Sequence, residues 1–126
     1  MSPRPRVLLA DDYPDILKAV SRLLAHDCEI VGSVSDGSAL LETARRIQPD
    51  VIVLDVNLPK INTIEACREL TRSSPRINVI MFTATTDPSA GQAFIKAGAA
   101  AFISKLASED LLSIIKRLCT TETQAP

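Results

Sequence analysis

An α/β fold with one parallel sheet covered by helices on both faces is the prediction from this chain, and three observations carry it. Apolar strands alternate with helical patterns five times along the sequence. The strands are nearly continuous in apolar residues rather than alternating, as strands buried on both faces must be. Polar, chemistry-bearing residues then follow the strands at their C-terminal ends. Right-handed crossovers place all such ends on one edge of the sheet, where ligands bind in open α/β folds.

Taken in order, the first strand is expected at about Arg6 to Ala10. The helix after it has Pro14 in its opening turn and Ile16, Leu17, Val20, Leu23 and Leu24 at helical spacing. The second strand spans about Glu29 to Val34. Its helix opens near Asp36-Gly37-Ser38, carries Leu40, Leu41, Ala44 and Ile47, and is stopped by Pro49. The third strand, Val51 to Leu54, leads through a loop to a helix from about Thr63 that buries Ile64, Cys67 and Leu70. The fourth, Asn78 to Phe82, leads to Asp87-Pro88, an N-cap followed by proline at the first helical position. Ala90, Ala93, Phe94 and Ala97 face inward there, and Gly98 ends the helix. The fifth strand, Ala100 to Ile103, precedes a last helix expected to be capped by Ser108, with Leu111, Ile114, Ile115 and Leu118 on its apolar face. One domain over residues 1–119 is expected, with 120–126 as a polar tail or linker stub.

The composition excludes several functions. Hydrophobic residues at 46% and charged residues at 23% suit an ordinary globular domain, and a net charge of −1 with no basic stripe argues against direct nucleic-acid binding. Trp is absent, so no base-stacking surface is expected. Cys28, Cys67 and Cys119 lack metal or disulfide spacing, and the first two read as small buried hydrophobes. Asp11-Asp12 breaks the first apolar run after four residues, so neither a signal peptide nor a membrane span is expected, and the chain reads as cytoplasmic. The only histidine, His26, falls near the end of the first helix, away from the polar edge. Phosphate-cradling glycine loops are missing too.

The strand ends bring together Asp11 and Asp12, Asp55, Thr83 and Lys105. Three carboxylates about 5 Å apart repel by roughly 3 kcal/mol per pair at an effective dielectric of 20, so the cluster should attract a cation. Magnesium suits hard oxygen donors. Asp12 and Asp55 would bind it directly, Asp11 directly or through water, and the Asn57 backbone carbonyl would complete the set. A carboxylate can also be a nucleophile towards phosphorus, and Lys105 and the Thr83 hydroxyl suit the charge that develops on phosphoryl oxygens.

These residues resemble the receiver domain of two-component response regulators. The resemblance runs from Arg6 to about Leu118 and rests on Val-Leu-Leu-Ala-Asp11-Asp12, Pro49-Asp50-Val-Ile-Val-Leu-Asp55, Leu58-Pro59, Met81-Phe82-Thr83-Ala84, Ala97-Gly98-Ala99 and Phe102-Ile103-Ser104-Lys105. It implies a flavodoxin-like (βα)5 three-layer sandwich with strand order 2-1-3-4-5. It implies that Asp55 is the phosphoacceptor for a sensor histidine kinase or phosphotransfer protein, with magnesium or manganese as cofactor. Thr83 and Phe102 become switch residues, Lys105 the phosphate-binding lysine, and Asn57 and Thr85 the positions that tune phosphate lifetime. Turnover of an external substrate is not expected. A homodimer through the fourth helix, fifth strand and fifth helix is a possible partner arrangement. Asp12-Tyr13-Pro14, Asp36-Gly37 and Lys105-Leu106-Ala107-Ser108 look most like receivers joined to LuxR-type helix-turn-helix outputs, which would make this the input of a transcriptional regulator.

Two positions depart from the family pattern. Lys60-Ile61-Asn62-Thr63 stands where a glycine-rich stretch is usual, which should make positive φ less accessible there. Leu106 replaces a common proline, so a trans bond after Lys105 is expected. Two rival readings differ in chemistry. A dehalogenase-like phosphatase would need an acid where Asn57 stands and a cap domain. A receiver kept only for dimerisation would not need the reacting groups to be intact.

Overall fold

The structure, a computed structural model, describes residues 4–84 and 87–123. Five parallel strands, β1 (Arg6–Ala10), β2 (Glu29–Val34), β3 (Val51–Asp55), β4 (Asn78–Thr83) and β5 (Ala101–Ser104), form one sheet in the order β2-β1-β3-β4-β5. The order and the parallel sense are those expected from the sequence. Helices α1 (Pro14–Leu24) and α5 (Leu111–Thr123) cover one face, and α2 (Gly37–Ile47), α3 (Thr63–Ser73) and α4 (Pro88–Lys96) cover the other.

Strand alternation divides the core in two. Val7, Leu9, Val51, Val53, Ile80, Phe82 and Ile103 point towards Val20 and Leu24 of α1 and Leu111 and Ile115 of α5. Leu8, Ala10, Ile52, Leu54, Val79 and Met81 point towards Leu40 and Ala44 of α2, Cys67 and Leu70 of α3, and Phe94 of α4. Both layers are fully buried, which is why β1, β3 and β4 read as unbroken apolar runs. Cys67 is fully buried, and burial pushes its thiol pKa up to about 11, so it packs as a hydrophobe. Cys28 is buried as well, and His26 is exposed at the end of α1. Among the described residues, no helix is long and apolar enough to cross a membrane.

The helix ends explain themselves locally. Asp36 caps α2 by accepting from the Ser38 and Ala39 amides, Asn62 caps α3 by accepting from Glu65, and Asp87 caps α4 by accepting from Ser89. The start of the last helix departs from expectation. Ser108 does not cap it; instead Ser104 accepts from the Leu106 amide, and a 3-10 helix, Lys105–Asp110, intervenes before α5. The 3-10 segment lets the chain leave the sheet edge at Lys105 and turn at once onto the α1 side. At the other end α5 runs to Thr123, past the boundary expected after residue 119.

Gly98 follows α4 with φ +108, a backbone that L side chains rarely adopt. A Cβ there would sit 2.5 Å from Thr71 Oγ1, the hydroxyl that donates to the Ala97 carbonyl and ties α3 to the end of α4. Gly98→Ala is therefore expected to cost more than about 1 kcal/mol in urea unfolding, with an unchanged denaturant slope.

Candidate functional site

The C-terminal ends of β1, β3, β4 and β5 converge as the register dictates. Ala10 lies beside Leu54, Asp55 beside Phe82, and Thr83 beside Ser104. One residue beyond each pairing stand Asp11, Thr83 and Lys105. Asp11, Asp55 and Thr83 are buried, at 4%, 3% and 1% exposure, and Asp12 is exposed. Asp11, Asp12 and Asp55 each present a carboxylate oxygen, all within 4.8 Å of one another. Lys105 Nζ lies 2.8 Å from Asp11 Oδ2 and 3.5 Å from Asp55 Oδ1.

Backbone amides hold the carboxylates in place. Tyr13 N–H donates to Asp11 Oδ1 at 2.9 Å, and Asn57 N–H donates to Asp55 Oδ1 at 3.1 Å. The outer oxygens differ: Lys105 Nζ reaches Asp11 Oδ2, whereas Asp55 Oδ2 is buried with no hydrogen-bond donor. A buried acceptor left this way costs free energy unless a cation or donor reaches it. Three carboxylates against one ammonium leave two negative charges when all are ionised. A divalent ion with oxygen preference fits this donor set in charge and in chemistry.

The electrostatics agree. Burial raises the Asp55 carboxyl above its ordinary value, and the neighbouring Asp11 charge adds to the rise; the Asn57 amide and Lys105 offset it in part. Burial alone would lower the Lys105 ammonium. The hydrogen bond to Asp11 and the charges of Asp55 and Asp11 outweigh that and hold it above the usual lysine value. The ammonium also lies 5.6 Å from the Tyr13 ring centre and 5.7 Å from that of Phe82. Both rings are site residues that the sequence reading did not single out, since only the β4–β5 register and the α1 start bring them to Lys105.

Both departures from the family pattern are accommodated. Among the described residues there is no cis peptide bond, so the bond after Lys105 is trans as expected, and Lys105 still reaches both buried carboxylates. In the loop after β3, Lys60 takes φ +65 although it is not glycine. The left-handed region is thus reached in spite of the side chain, at a cost of roughly 1 kcal/mol. Asn57 is exposed, and its amide is turned to Asp55. Thr85 lies outside the described residues.

Thr83 and Phe102 share a sheet face. Thr83 follows Met81 by two residues, and Met81 pairs with Phe102. The Phe102 ring is partly buried and stacks on Phe94 at 6.0 Å.

The family model for the response regulator receiver domain matches residues 7–116. The chain belongs to that family. The receiver is 33% identical over 116 residues to the response regulator GacA of Pseudomonas aeruginosa, covering 90% of this chain and 54% of that one. To the nitrate/nitrite response regulator NarL of Escherichia coli K12 it is 30% identical over 119 residues, covering 92% and 55%. The BeF3-activated receiver domain of DrrB, from Thermotoga maritima, superposes with a TM-score of 0.83 at 28% identity, covering 94% of this chain and 99% of that one. The receiver spans about half the length of the curated relatives it matches.

The raised Asp55 carboxyl sets a pH prediction for the metal-free receiver. The folded state binds the Asp55 proton more tightly than the unfolded chain does. Stability contributed by this group is present below the ordinary value of 3.8 and is lost as pH rises through the higher folded value. Asp55→Asn should therefore flatten this slope and unfold at higher urea than the native chain at neutral pH in chelator, measured by urea titration across the acid range.

Proposed function

We propose that Asp55 is the phosphoacceptor of this receiver, taking its phosphoryl group from the phosphohistidine of a sensor histidine kinase or phosphotransfer protein. The observation that carries the reading is the buried pair Asp11–Asp55, with an ammonium 2.8 Å from Asp11, the outer Asp55 oxygen unpartnered and the third carboxylate of Asp12 within 4.8 Å. Asp11, Asp12, Asp55 and the Asn57 carbonyl are the groups we assign to magnesium, or to manganese in its place. When bound, the ion supplies positive charge to the carboxylates and to one phosphoryl oxygen.

An Asp55 carboxylate oxygen attacks phosphorus while the phosphorus–nitrogen bond to the donor imidazole breaks, and that bond's electron pair returns to the imidazole nitrogen. Lys105 turns its ammonium from the carboxylate pair to a phosphoryl oxygen. The Thr83 hydroxyl donates to another. Drawing Thr83 inward frees space on its own sheet face, and Phe102 rotates into it. The acyl phosphate is later hydrolysed at a rate tuned by Asn57 and Thr85, and this site acts on its own phosphate rather than on an external substrate.

The changed face would be α4–β5–α5, where Ile95 is 49% exposed and the Phe102 ring rests against Gly91. A second copy of the receiver is the partner we assign to it. A cleft lined by Ile16 and Leu23 of α1, Ser108 and Glu109 opens beside Lys105. The resemblance to LuxR-type regulators supports a role as the input of a transcriptional regulator, in the cytoplasm where its phosphodonor works. The beryllium fluoride adduct named for the DrrB receiver supports a phosphoryl-shaped ligand at such a site.

Incubation with acetyl phosphate and magnesium, followed by intact mass, should show one phosphoryl adduct on the native receiver. Asp55→Ala or chelator should abolish it, and Lys105→Ala should slow it roughly a hundredfold. An equal adduct on Asp55→Ala would defeat the assignment.

A further inference from the structure

The loop after β3 is tied down from three sides. On the sheet side, Val56 N–H donates to the Phe82 carbonyl at 3.1 Å. On the α3 side, the Thr63 hydroxyl donates to the Val56 carbonyl at 2.7 Å. The third tie reaches across to the start of α2. There Gly37 N–H donates to the Pro59 carbonyl at 2.8 Å, Lys60 Nζ lies 3.8 Å from Asp36 Oδ2, and the Ile61 side chain lies flat on Gly37. Gly37 is buried, and a Cβ on it would stand 2.1 Å from Ile61 Cβ and 2.3 Å from Ile61 Cγ2. Real Cβ atoms do not approach so closely, so the contact exists only because residue 37 has no side chain.

We propose that Gly37 is a positioning residue for cation binding: it seats Ile61 and Pro59 and thereby fixes the loop that carries the Asn57 carbonyl. This rests on the assignment of Asp11, Asp12, Asp55 and the Asn57 carbonyl to magnesium. Only Leu58 separates Asn57 from Pro59, so moving Pro59 reorients the Asn57 peptide. The chain must also hold Lys60 at φ +65, a conformation that something outside the loop has to enforce. The ion pair to Asp36 is a weak candidate, because Lys60 is 70% exposed and the contact is long. The amide-to-carbonyl bond from buried Gly37 and the face of Ile61 packed on it are the stronger holds. Where the family commonly has glycines in the loop, this chain has a bulky loop residue that fits against a glycine on the facing helix.

Tyr13 is the only tyrosine and tryptophan is absent, so intrinsic fluorescence of the full chain reports on the site: its amide is bonded to Asp11 and its ring lies against Lys105. In a magnesium titration, Gly37→Ala is expected to bind the ion about tenfold more weakly, in the range for loss of a group that orients a ligand. Adding Ile61→Gly to Gly37→Ala should restore affinity to within about threefold, or ~0.6 kcal/mol. Adding Ile61→Ala should not, because the clashing Cβ remains. Hydrogen exchange at residue 37 in chelator should speed up in Gly37→Ala and slow again in the rescued pair. If Gly37→Ala does not fold, Ile61→Gly alone opens the contact from the loop side and should weaken binding about threefold. Folded Gly37→Ala, or failing that Ile61→Gly, with native magnesium affinity overturns the role of Gly37. A native receiver that binds no magnesium overturns instead the metal assignment on which it rests.

Discussion

Repulsion among three carboxylates is the constraint around which this receiver is built. Unlike charges find one another in solution, but like charges stay together only when a scaffold forces them. Here the scaffold is the parallel sheet: β1 and β3 are adjacent central strands, each buried on both faces, and their ends deliver Asp11 and Asp55 into a site with almost no solvent. The apolar core that stabilises the fold thus bears the cost of an acidic site that destabilises it. Lys105 offsets that cost in part. Its own charge is made affordable by the same carboxylates and by the faces of Tyr13 and Phe82.

The same geometry sets where the proposed switch residues, Thr83 and Phe102, lie. Asp55 and Asp11 follow the alternation that points to the α1–α5 side, whereas Thr83 and Phe102 belong to the face covered by α2, α3 and α4. Chemistry at the edge and repacking on one face are therefore separated by the thickness of the sheet. Thr83 is the residue positioned to connect them, since it ends β4 at the edge and shares its face with Phe102. A hydroxyl at that place can answer to a charge at the edge and leave a space behind it on the packed side.

The sequence made this edge legible because strands buried on both faces read as unbroken apolar runs, and the first polar residue after each run marks its end. Asp11, Asp55 and Thr83 stand at such ends and Lys105 one residue beyond Ser104, and the structure brings Lys105 onto Asp11 and Asp55. What depends on register between distant segments was not legible. That Ser104 rather than Ser108 holds the turn after β5 follows from the 3-10 geometry, and both serines look alike as caps in the sequence. The rings around Lys105 and the contact of Ile61 with Gly37 arise between elements more than twenty residues apart, and no local pattern encodes them. Lys60 shows the limit of propensity itself. Replacing glycine argued against a left-handed backbone, and tertiary contacts imposed one regardless.

The two departures from the family pattern therefore have different standing. At Leu106 the chain supplies its own local arrangement: the 3-10 helix begins at Lys105, the Leu106 amide donates to the Ser104 hydroxyl, and the ammonium reaches both acids. At Lys60-Ile61 compensation is required, since a loop that lacks glycine must be bent by force from outside. That force can come only from what the loop touches, and it touches the first turn of α2. A substitution tolerated alone at Leu106 is thus coupled at Ile61 to the absence of a side chain on another element. Glycine at 37 and a branched residue at 61 form one structural unit, although twenty-three residues, including the rest of α2 and all of β3, lie between them.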